Sequence, residues 1–278
     1  MRAYFPLPPT ISVPGIKEKI NGSITFLNCP NNRLKKLFFD DIYTDIVYLG
    51  IYLFKNNAWE LLNIKKTEPH EFLEINRAQL KVDNEDMVVI VPKKSNQFKL
   101  KTSILENPDS LKVDNSIIAQ RVSLNFSFLE SSTSYQGEYP LNMSCLTNSS
   151  FFSFDTMKDS ISLNKKNFII LMNISKINKI KEKIEVKIFD PNNKDKFKII
   201  YAYRNSFTIV NIDEYENDLG KLKTIFLVSK YCSFIPIFLS FDLSTKQLSV
   251  EHSHPPSEYF FGHKKFELVN LIKKRWVV

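Results

Sequence analysis

One ordered pattern constrains this chain more than any other: an extended apolar segment, a phenylalanine-centred strand, then a short apolar run. It is read first in Val47–Phe54, Phe72–Asn76 and Met87–Val91, and next in Val122–Phe128, Phe152–Asp155 and Phe168–Met172. It is read a third time in Ile184–Phe189, Phe207–Asp213 and Thr224–Val228. A unit apolar on one face must bury that face, and a recurring unit does so against a copy of itself. Within the cleanest member, Val122, Leu124, Phe126 and Phe128 alternate with Ser123, Asn125 and Ser127. Such period-two alternation builds an antiparallel sheet with one face in a core and one toward water.

The fold expected is therefore all-β: tandem antiparallel β-sandwich units, jelly-roll or lectin-like, with a short C-terminal α-helix. That helix is read over Lys264–Trp276. Phe266, Val269 and Ile272 recur at helical spacing, Leu268 and Leu271 widen the stripe, and Lys273, Lys274 and Arg275 suit the last turn. The polar stretch from Lys93 to Asp114 contains Asn107-Pro108-Asp109-Ser110 and marks the expected boundary. An N-terminal lobe then spans 1–112, and a C-terminal lobe with two of the three units spans 113–278. The hydroxyl-rich stretch Glu130–Tyr135 reads as a loop.

Composition removes several classes of chemistry. The 6 glycines are too dispersed for a GxGxxG or GxxxxGK phosphate loop, and no GxSxG elbow is present. The net charge of +8 would suit a polyanion, yet Arg is rare among the 38 basic residues. Specific nucleic-acid sites depend on Arg forks, so no nucleic-acid partner is expected. The 3 cysteines, Cys29, Cys145 and Cys232, are odd in number and form no CxxC pair, which fits a reducing compartment. The N-terminus has no hydrophobic signal core, and Ile46–Phe54 is too short for a membrane span. A soluble, cytoplasmic protein is expected, with homo-oligomerisation left open.

Chemistry concentrates at Glu251–Glu258. On an extended strand His252 and His254 share one face, and Glu258 follows four residues later, a 2-His-1-carboxylate set suited to Fe, Mn or Zn. The spacing His-x-His-x3-Glu resembles the first metal motif of the cupin superfamily, although Lys246 stands where that motif has glycine. The resemblance implies His252, His254 and Glu258 as ligands of a divalent metal in an enzyme. The leading expectation is different: a non-catalytic module without a cofactor, binding a carbohydrate or similar polar small ligand. Tyr135, Tyr139, His252, His254 and Tyr259 are its candidate contacts, aromatic and imidazole groups near turns that can stack on or hydrogen-bond to a sugar. A third reading is an assembly protein whose sheets pair with other subunits.

Overall fold

The computed structural model describes residues 3–28, 46–93, 95–103, 105, 121–136, 139–140, 150–155, 164–174, 183–190, 193–215, 224–229 and 234–252. These residues are almost wholly β, in four antiparallel sheets, as the alternation requires. The chain divides into two compact units, Met1–Ser144 with Lys176–Lys179, and Cys145–Ser175 with Ile180–Val278. Among the described residues no helix is long and apolar enough to cross a membrane. The helix expected over Lys264–Trp276 lies outside the described residues.

In the first unit the strands are β1 (Ala3–Pro6), β2 (Ile11–Ser12), β3 (Lys19–Leu27), β4 (Val47–Lys55), β5 (Ala58–Thr67) and β6 (Phe72–Asn76). A one-turn helix, α1 (Arg77–Leu80), precedes β7 (Val88–Lys93), β8 (Lys101–Thr102), β9 (Arg121–Phe128), β10 (Ser131–Gln136) and β11 (Tyr139–Pro140). One sheet has the order β11-β1-β7-β4-β5-β8; the other is β10-β9-β3-β2, with β6 also paired to β3. β9 and β10 join β3 in one sheet and so belong to the first unit. Phe5 of β1 meets Phe26 of β3 edge-on at 6.5 Å, joining the two sheets across a core. The alternating residues Val122, Leu124, Phe126 and Phe128 are buried in that core, each contributing roughly 1.5–3 kcal/mol by burial.

Two close approaches fix this unit. Arg77 is buried and reaches four backbone carbonyls: Nε donates to Pro8 at 2.9 Å, Nη1 to Asp83 at 2.6 Å, and Nη2 to Leu7 at 3.2 Å and Asp86 at 2.7 Å. Desolvation lowers its pKa to about 10, with Asp86 opposing the shift, and it stays cationic at neutral pH. A capping box between Asn76 and Gln79 sets the helical turn that aims Arg77 inward. On the opposite face of the β4 sheet, residues 95–99 run across as a strap before β8 joins the edge of β5. Phe98 lies over Gly50, Lys93 sits 5.0 Å above the Phe98 ring, and Tyr52 Oη donates to Lys99 O at 3.1 Å.

The second unit contains β12 (Ser150–Asp155), β13 (Lys165–Asn173), β14 (Lys183–Asp190), β15 (Asn193–Tyr203) and β16 (Ser206–Asn211). A 3-10 turn at Ile212–Tyr215 leads on to β17 (Thr224–Ser229), β18 (Ile235–Asp242) and β19 (Leu248–His252). Its sheets are β12-β17-β14-β15 and β16-β13-β18-β19. Ile169, Leu171, Val210 and Phe238 from one sheet and Ile184, Val186, Ile188, Ile225 and Leu227 from the other form a continuous core. This is a sandwich.

The neighbour order is the same in both units. β1-β7-β4-β5 corresponds to β12-β17-β14-β15, and β6-β3-β9-β10 to β16-β13-β18-β19, in the same chain sequence. The first triplet of the sequence pattern (β4, β6, β7) and the third (β14, β16, β17) thus occupy equivalent places. The middle triplet does not. Its members are β9, β12 and β13, drawn from two units and three sheets, so the pairings recur twice where the sequence pattern is read three times.

Candidate polar ligand face

In the first unit, the face of β6-β3-β9-β10 that turns away from the core is a grid of small polar side chains. Alternation decides which residues lie there. Ile24, Phe26, Val122, Leu124 and Phe126 take the inward positions, leaving the residues between them outward. The register aligns these residues in rows across the strands: Ser134, Asn125, Ser23 and Asn76 in one row, and Ser123, Thr25 and Glu74 in the next. Ser132, Ser127 and Asn21 form a third.

Hydrogen bonds knit the centre. Ser123 Oγ donates to Asn125 Oδ1 at 2.9 Å, while Asn125 Nδ2 donates to Thr25 Oγ1 at 2.9 Å and to Ser23 Oγ at 3.5 Å. Asn125 is held in one orientation, with its three neighbours' hydroxyls in fixed positions. At one corner stands Phe72, opposite Leu27 and 69% exposed, beside the exposed carboxylate of Glu74. The Phe72 ring is therefore open to a ligand lying on this face. The equivalent face of the second unit carries Phe168, Ile170, Met172, Ile237, Leu239 and Phe241, all buried. The two copies have opposite outer faces.

The sequence-derived candidates fall elsewhere. Tyr135 is on β10 but faces inward, opposite Leu124, and is 7% exposed; desolvation raises its hydroxyl well above the usual tyrosine range. The stretch read as a loop is strand β10, and its outward serines belong to the grid. Tyr139 pairs with Tyr4 through β11 and β1, in the other sheet of the first unit. His252 ends β19, opposite Ile237 in the second unit. His254, Glu258 and Tyr259 lie outside the described residues. Among the described residues no group of three or more His, Cys, Asp or Glu is placed to hold a metal.

By alternation alone, the outward residues of β9 read as a solvated side. The missed signal is the repetition of short polar side chains at period two, Asn21-x-Ser23-x-Thr25, Ser123-x-Asn125-x-Ser127 and Ser132-x-Ser134. Lys and Glu, which usually occupy water-facing strand positions, are nearly absent from these three runs. No family model, no curated protein and no solved structure matches the chain.

Proposed function

We propose that this protein is a non-catalytic binding module that holds a carbohydrate or similar polar small ligand on the outer face of β6-β3-β9-β10. One observation carries the reading: an exposed aromatic ring, Phe72, borders a preorganised array of hydroxyl and amide groups. A sugar presents an apolar ring face and a rim of hydroxyls. The first stacks on an exposed aromatic ring, and the second is met by groups that both donate and accept. Adjacent strands place these groups about 4.8 Å apart, on the scale of one sugar ring. Short side chains already bonded to one another lose little freedom when a ligand binds. The Glu74 carboxylate accepts from neighbouring ligand hydroxyls.

The test is a thermal-shift screen against a panel of mono- and oligosaccharides, followed by titration of any ligand found. The expected result is a ligand that raises the melting temperature by several degrees at concentrations well above its Kd. Phe72→Ala should weaken that ligand about tenfold while leaving the unliganded melting temperature in place, because the ring is exposed. A ligand that binds Phe72→Ala and Glu74→Gln as tightly as wild type would place recognition elsewhere.

A further inference from the structure

We propose that the outer edge of β15 is a homodimer interface, pairing antiparallel with the same strand of a second copy about a two-fold axis at Ile199. Among the described residues, the edge is open in this unit and covered in the other. In the first unit the equivalent strand, β5, is covered by β8 through the pairs Trp59–Thr102 and Glu60–Lys101, with Leu61 N donating to Leu100 O at 2.9 Å. Among the described residues nothing pairs with the corresponding edge of β15. β15 is 11 residues long and contains neither Pro nor Gly. A long unbroken edge is a template for another strand.

Its side chains favour its own copy as the occupant. Phe197, Ile199 and Tyr201 lie on one face and are 39%, 42% and 51% exposed. Lys187 sits 4.8 Å above the Phe197 ring, and Lys183 sits 5.2 Å above that of Tyr201. These cations brace the row from inside the sheet. Antiparallel pairing centred on Ile199 sets Ile199 against Ile199 and Phe197 against Tyr201 twice, a continuous apolar row across the axis. On the other face, the same register sets Lys198 against Ile200 and Lys196 against Ala202, so no two lysines stand directly opposite. The two four-stranded sheets would then join as one.

Light scattering coupled to size exclusion, over a concentration series, tests the association. Wild type is expected to run as a dimer at high concentration, and Ile199→Lys as a monomer with an unchanged circular dichroism spectrum. The register is tested with Ile199→Cys. Cross-strand Cα atoms about 4.5–5.5 Å apart lie within disulfide reach, so mild oxidation should link position 199 to position 199, identified by peptide mass spectrometry. Lys198→Cys should not link to itself. A wild type monomeric at every concentration, an Ile199→Lys dimer, or equal self-linkage at 198 and 199 would each overturn the proposal.

Discussion

At the residue scale, the first unit depends on contacts that leave no room for a side chain. A Cβ on Gly22 would lie 2.6 Å from the carbonyl carbon of Pro8, and the Pro8 oxygen is already held by Arg77 Nε. Backbone cannot swing away, so Gly22→Ala is expected to destabilise by about 3 kcal/mol in chemical denaturation. At Gly50 the obstacle is the Phe98 ring, a movable group. Gly50→Ala should therefore cost less than Gly22→Ala, and less again in a Phe98→Ala background, a coupling that a double-mutant cycle measures. Arg77→Met leaves four buried or part-buried carbonyls without their donor and should cost more than about 3 kcal/mol. Lysine cannot substitute, since a single ammonium does not reproduce the guanidinium fork. Asp242 controls the turn after β18: it accepts from Ser244 Oγ, from Ser244 N at 2.9 Å and from Thr245 N at 3.0 Å. The Ser244 hydroxyl bond, then the Thr245 amide, lower its pKa from 3.8 to about 2. A depressed carboxylate pKa stabilises the fold above pH 3.8, and that contribution is lost as pH falls toward 2. Acid titration of stability should show this loss in wild type and not in Asp242→Asn.

At the scale of elements, what could be read from sequence followed the contrast between neighbouring residues. β9 was readable because phenylalanine and leucine alternate with serine and asparagine. β10 was not, because its inward positions include Ser131 and Thr133, and a strand with small polar residues on both faces carries no hydrophobic period. Tyr135 therefore reads as a loop residue in sequence and lies in the core of the fold. Tyr135→Ala should accordingly behave as a core truncation, costing about 3–5 kcal/mol. Ligand affinity measured on the folded fraction should hold. The polar grid is not legible in sequence for a related reason: single-strand patterns do not reveal which polar residues the register sets in one row. Asn125 became informative only once β3 supplied Thr25 and Ser23 beside it.

For the whole molecule, the sequence pattern carries the all-β architecture, and the strand pairings recur twice where the pattern is read three times. Its first and third occurrences fall on equivalent strands because the same hairpin and crossing strand are needed in each sandwich. The middle occurrence bridges the last strands of one unit and the first of the next, where similar alternation arises in non-equivalent strands. Equivalence of fold did not extend to the outer faces, polar in one copy and apolar in the other, and the proposed ligand face is the polar one. The cupin-like spacing makes a separate demand: a metal held by His252, His254 and Glu258 would appear as near-stoichiometric Fe, Mn or Zn in elemental analysis. The binding-module reading expects trace metal, unchanged by His252→Ala. The most direct test of the central claim is amide chemical-shift mapping during titration of labelled protein with a ligand identified by the screen. The account predicts perturbations at residues 21–25, 72–76, 123–127 and 132–134. Shifts concentrated at the β19 end or on the β4 sheet, with these residues unmoved, would contradict it.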